Sequence, residues 1–230
     1  MLQQIGPDIW VMDGPHVVAA AGFHYPTRMT IIRLANGDMI VISPIAFSIE
    51  TLNAVLALGP VTHLVAPNAL HHLAIGDWMA ACPKAKTYAA PRLQTKRRDL
   101  SFTCELGDVS PWPQEIDTVL MAPHLITDEV VFFHRASSTA VFTDLIQQLP
   151  RGWYRGFRAL IAKLDLMQSD PPTVPRKFRM GFRNRRALGA QVAQLQAWDV
   201  QRLVMAHGPI VQENAADVLR QAFAWASPLP

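Results

Sequence analysis

Cysteine is scarce in this chain: 230 residues contain two, Cys82 and Cys104, and neither lies in a metal or redox spacing. That excludes a disulfide scaffold and a site built on paired thiolates, and it fits two reduced thiols in a cytoplasmic protein. Charge is scarce too. Only 17% of residues are charged and the formal balance is +3, so no strong overall pull toward nucleic acid follows. The apolar run HVVAAAGF at 16–23 is too short to span a membrane and follows Asp13. The opening MLQQIGPDIW lacks both the basic and the apolar region of a secretory signal. There is no repeat of fixed period and no low-complexity tract.

Half the residues are hydrophobic, enough for a sizeable core. Apolar patterning predicts a first strand at 8–12, then a loop over 14–28 broken by Gly14, Pro15, Gly22 and Pro26. MTIIRLA and MIVIS flank Asn36-Gly37, a strong hairpin signal. Ser48 is a plausible cap for a helix to Leu58, ended by Gly59-Pro60. A strand over 61–66, a helix over 75–81, the short strand KTYAA and a small basic helix at 91–98 follow. Three strand candidates come next, DTVLMA, EVVFFHR and TAVFT, the last two turned at Ser137-Ser138. Helices are expected over 153–167, 183–198 and 215–225, with a final strand RLVMAH between the last two and a Pro-rich surface connection at 168–178. The pattern is an α/β mixture with sheets of mixed direction, in one domain spanning 1–230.

Polar residues at strand ends mark where chemistry would sit. VTHLVAPNALHHLAIGDW (61–78) runs from a strand into Pro67-Asn68 and then His71-His72; His124, Asp144 and His207 follow other strands. Each has an ordinary reading beside the functional one. Adjacent residues on a helix do not share a face, which counts against His71 and His72 binding one ion there, although a turn relaxes that. Asp144 also reads as the cap of a short helix, His207 as a strand-end residue, and Asn68 first as a turn residue, with a second reading as an amide that meets substrate at a pocket rim. His134 reads as structural. Three basic runs, 91–98, 151–158 and 175–186, read as solvated surface, against an anion-binding groove for phosphates, nucleic acid or lipid headgroups.

The order of IWVMDGP, the hairpin, HLVAPNALHHL, HLITDEVVFF, VFTDL and LVMAHG resembles the metallo-β-lactamase superfamily over nearly the whole chain. The resemblance implies an αββα sandwich with a metal site at the sheet ends. Its H-x-H-x-D-H turn is degenerate here: Pro67 and Ala69 stand at the first two histidine places, His71 at the aspartate and His72 at the last histidine. Ser43-Pro44 stands where the family has an ordering aspartate. By resemblance His124, Asp144 and His207 match the later ligands. Of one metal's three histidines only His124 remains, so at most one divalent ion is implied, Zn with Fe or Mn as options, held by His71, His72, Asp144 and His207. His71 is also a candidate base, and His124 a candidate to polarise a substrate carbonyl or phosphoryl group. The implied function is a mononuclear hydrolase of a small-molecule substrate, better suited to an activated ester or thioester than to a poor leaving group. The alternatives are a non-catalytic binding protein that kept the fold, and a basic nucleic-acid or membrane-surface module; no specific nucleic-acid binding is expected.

Overall fold

The computed structural model describes residues 1–226. Its first sheet has seven strands in sequential order: β1 (Leu2–Gly6), β2 (Ile9–Val18), β3 (His24–Arg33), β4 (Met39–Ile42), β5 (Val61–Ala66), β6 (Lys86–Ala89) and β7 (Cys104–Glu105). β1 to β4 pair antiparallel. From β4 to β7 the pairing is parallel, because helices carry the chain back: α1 (Ile49–Leu56), α2 (Ile75–Ala81) and α3 (Leu93–Lys96). The Asn36-Gly37 turn forms as expected, with Gly37 at φ 88° and Asn36 Oδ1 accepting from the Asp38 amide. Ser48 caps α1 by accepting the Thr51 amide at 3.1 Å.

The second sheet holds four strands, β8 (Ile116–Met121), β9 (Glu129–His134), β10 (Thr139–Val141) and β11 (Arg202–Val204), in the order β11-β10-β9-β8. Between β10 and β11 lie α4 (Phe157–Leu164), α5 (Arg176–Gly181) and α6 (Arg185–Gln196), and α7 (Ala215–Ala222) follows β11.

Three apolar layers show how the elements stack. One joins the first sheet to α1 and α2, through Leu52, Val55, Ile75 and Trp78. The second lies between the sheets, where Val130 and Phe132 of β9 meet Ile40, Ile42 and Val65. The third buries the opposite side of β9, Val131 and Phe133, against Leu188, Val192 and Leu195 of α6. β9 is therefore covered on both faces, which is why EVVFFH is nearly all apolar rather than alternating. Each fully buried large side chain in these layers contributes roughly 1.5–3 kcal/mol of transfer free energy. The result is the expected αββα sandwich.

The 14–28 region departs from its loop expectation. β2 and β3 run through it, paired as far as Val18↔His24, with a bulge between Gly14 and Val17. The bulge absorbs Pro15, and β-branched Val17, Val18 and Thr27 favour extension. The 168–178 connection ends in α5 rather than staying irregular: Pro175 precedes the first helical residue and Phe178 is buried against the second sheet. No helix among the described residues is long and apolar enough to cross a membrane.

His134 is buried, and its Nδ1 meets Ser137 Oγ at 2.8 Å. Burial pushes its pKa below the usual histidine value. The unfolded chain therefore takes up this proton first, and His134 contributes a loss of stability as pH falls through about 6.5. His134→Gln should flatten the drop in urea midpoint between pH 7 and pH 5; an unchanged slope would contradict the assignment.

Candidate functional site

The C-terminal ends of β5, β10 and β11 carry three of the anticipated residues into one cluster. His71 follows β5 through the Pro67-Asn68 turn, and Asp144 and His207 each lie three residues beyond their strands. His71 Nε2 is 3.3 Å from Asp144 Oδ2, His207 Nε2 is 3.3 Å from Asp144 Oδ1, and the two Nε2 atoms are 3.3 Å apart.

The chain aims these atoms from behind. Ser43 Oγ, at the end of β4, lies 2.6 Å from His71 Nδ1. His207 Nδ1 donates to the Pro26 carbonyl at 2.8 Å, which places a proton on that nitrogen and turns Nε2 to the cluster. Asn68, fully buried, accepts the Leu70 and His71 amides on Oδ1 and directs Nδ2 at Asp144 Oδ2, Glu129 Oε2 and Thr143 Oγ1. Glu129 in turn accepts the backbone amides of Thr143, Asp144 and Leu145. The strand-end backbone that presents Asp144 is thus tied to a buried carboxylate.

Burial alone would raise the Asp144 pKa, but the charges and hydrogen bonds of His71 and His207 outweigh it and hold the carboxyl well below its usual range. Burial likewise opposes charging of His71, yet the carboxylates of Asp144 and Glu129 raise its pKa overall. Glu129 is pushed up by burial and by the Asp144 charge.

The donor set fits a divalent ion. His71, Asp144 and His207 offer two imidazole nitrogens and a carboxylate within 4.8 Å of one another. Ligands about 2.0–2.1 Å from one tetrahedral ion lie roughly 3.3 Å apart; the two Nε2 atoms stand at that spacing, and each ring meets one of the two Asp144 oxygens at the same distance. The cluster borders a cavity of about 740 Å³ walled by Val17, Val18, Ile45, Phe47, Leu70 and Phe178, with Lys96 and Lys177 among its polar lining.

Two anticipated site residues are not part of the cluster. His72 lines the same cavity, but its Nδ1 faces Arg97 Nη1 at 3.1 Å and its carbonyl accepts the same guanidinium. Burial, with Lys96 and Arg97 nearby, pushes its pKa down to about 4. His71 and His72 diverge, as adjacent residues leaving a turn do. His124 is farther from its expected role. Its Nδ1 accepts the Ile126 and Thr127 amides, so Nε2 carries the proton and donates to the Phe178 carbonyl at 2.8 Å. Both ring nitrogens are used within the wall, leaving none to polarise a substrate.

Sequence reasoning missed Glu129 and the depth of Asn68. A signal for Glu129 exists: an acid heading an otherwise apolar, doubly covered strand needs buried donors. Asn68 gives no comparable signal, because asparagine after proline at a strand end is an ordinary turn residue.

The fold is that of the metallo-β-lactamases. Structures that match it include the enzyme of that name from Hirschia baltica, with 12% identity and a TM-score of 0.66 over 100% of this chain and 99% of that one. The metallo-β-lactamase FIM-1 from Pseudomonas aeruginosa, in its mono-zinc form, matches with 14% identity and a TM-score of 0.64 over 99% and 96% of the two chains. The chain belongs to the family described as Domain of unknown function (DUF4336), whose model matches residues 7–159. That span includes Asn68, His71, Glu129 and Asp144. No curated protein matches the chain.

Proposed function

We propose that this chain, folded as one domain, is a metal-dependent hydrolase with a single-ion site formed by His71, Asp144 and His207. The observation that carries the reading is that His71 Nε2 and His207 Nε2 lie 3.3 Å apart with one Asp144 oxygen 3.3 Å from each, Oδ2 and Oδ1 respectively, each ligand oriented from behind by a separate hydrogen bond. The mono-zinc form of FIM-1 gives precedent for one ion in this fold. His72 and His124 leave the proposed set, for the reasons their hydrogen bonds give.

An ion bound there supplies Lewis acidity to a substrate oxygen and to water. The chain's own residues do the rest. Asp144 contributes the one negative charge, kept ionised by its two imidazoles. Ser43 and the Pro26 carbonyl fix the two rings. Apolar walls bind the apolar part of a substrate and exclude bulk water. Small acyl esters and thioesters suit this cavity better than substrates with poor leaving groups, since no second metal position is built beside the first among the described residues.

The test is elemental analysis of protein purified without chelator or added metal, with turnover of p-nitrophenyl esters and acyl thioesters measured on the same sample. One ion per chain and metal-dependent turnover are expected. Two tightly bound ions would overturn the single-site reading. One ion with complete inertness would favour the non-catalytic binding protein.

A further inference from the structure

We propose that α4 and its flanks form a docking surface for an anionic lipid membrane. The helix is built inside out. Phe157, Leu160, Ile161 and Leu164 are 58%, 60%, 44% and 56% exposed, while Ala162 is buried and Ala159 half-buried beneath them. Their spacing of three and four residues puts the large side chains on one stripe, the arrangement of a core-facing helix, yet here the stripe points outward.

The helix is held firmly from below. Trp153 Nε1 and the Tyr154 hydroxyl both donate to the His24 carbonyl, and Arg158 Nε donates to the Ala21 carbonyl. After the helix, the Asp165 carboxylate and carbonyl accept the amides of Lys177 and Arg176. The apolar stripe is therefore a fixed feature of the surface.

Charge identifies the partner. Residues 151–164 contain Arg151, Arg155, Arg158 and Lys163 and no acid. None of these four cations forms an ion pair among the described residues. The other basic runs are engaged in part: Arg92 pairs with Asp128, Arg97 with Asp99 and Lys177 with Asp165, while Arg98, Arg176, Arg183 and Arg186 form no ion pair among the described residues and lack the exposed apolar stripe that α4 sets beside its cations. A two-fold contact between copies of the chain would bring these cations toward their own equivalents. An anionic bilayer accepts both features, the stripe into its acyl boundary and the cations at its headgroups. Val18, 75% exposed and three residues from Ala21, lines the large cavity. Docking through α4 would thus bring that cavity's mouth near the lipid.

Co-sedimentation of the full chain with vesicles of phosphatidylcholine, with and without phosphatidylglycerol, tests this. Binding is expected to the phosphatidylglycerol vesicles, weakening with salt. Each cation removed, as in Arg155→Gln, should weaken binding about fivefold, and Leu160→Glu at least about tenfold. Circular dichroism controls for misfolding. Amide hydrogen exchange on the unsubstituted chain gives an independent readout, with protection of 151–164 expected only with anionic vesicles. No binding at low salt, binding indifferent to these substitutions, or a dimer in solution that Leu160→Glu dissociates would each overturn the proposal.

Discussion

Asp144→Ala is expected to reduce bound divalent metal from about one ion per chain to near zero after gel filtration, with affinity lowered by more than about 100-fold. Asp144 touches both imidazoles and supplies the only negative charge among the three donors. With alanine there, two neutral rings would face an ion without a counter-charge, and Asn68 Nδ2 would lose one of its acceptors. Even removing a group that merely orients a ligand costs 10–100-fold in metal affinity, so losing a ligand should cost more. His72→Ala is the informative control. Its ring faces Arg97 rather than the cluster, so metal content should stay near that of the parent chain. Retention of metal by Asp144→Ala together with its loss in His72→Ala would reverse the assignment and restore His72 as a ligand.

That contrast shows how far the amino-acid sequence was legible. The order of elements came through because periodicity and turn chemistry agree locally. Asn36-Gly37 needs the positive φ that the hairpin uses, and Ser48 caps the helix it precedes. The cluster of His71, Asp144 and His207 was also anticipated, since each follows an apolar strand and strand ends of this fold converge. What stayed hidden was direction. Whether His71 or His72 turns inward depends on Asn68 Oδ1 accepting the Leu70 and His71 amides, a contact within a turn that carries no periodicity. His124 misled for a related reason. Its place in the order matched a ligand, but Gly181 brings the end of α5 so close that an added Cβ would overlap the imidazole, and the ring is spent on α5's Phe178 carbonyl. α5 itself lay in a segment whose prolines suggested an irregular connection. The β2 and β3 extension is not legible in the sequence because glycine and proline read as breakers, whereas a bulge accommodates them.

Glu129→Ala should have the largest effect on stability, a loss of about 4 kcal/mol in metal-free protein followed by urea unfolding. The carboxylate is fully buried, and its hydrogen-bond partners are all donors: the Thr143, Asp144 and Leu145 amides and Asn68 Nδ2. Each buried donor left without a partner costs roughly 1–3 kcal/mol. Partial relaxation keeps the total below the simple sum. An opposing contribution exists, because burial and the Asp144 charge raise the Glu129 pKa, so the ionised group is itself disfavoured. With its native pKa above the unfolded value, that penalty is absent at low pH and grows as pH rises past the unfolded value. Glu129→Gln separates the two effects. It removes the charge and keeps the volume, but turns an amide nitrogen toward N–H groups. If the hydrogen bonds dominate, as the donor count argues, glutamine should cost about 2 kcal/mol, less than alanine but still a loss. A glutamine variant more stable than the parent at pH 7 would show that the buried charge outweighs its hydrogen bonds. Because the same carboxylate fixes the backbone of Asp144 and the amide of Asn68, both variants should also weaken metal binding by about 10–100-fold. Destabilisation with unchanged metal affinity would mean that Glu129 holds the fold without positioning the cluster.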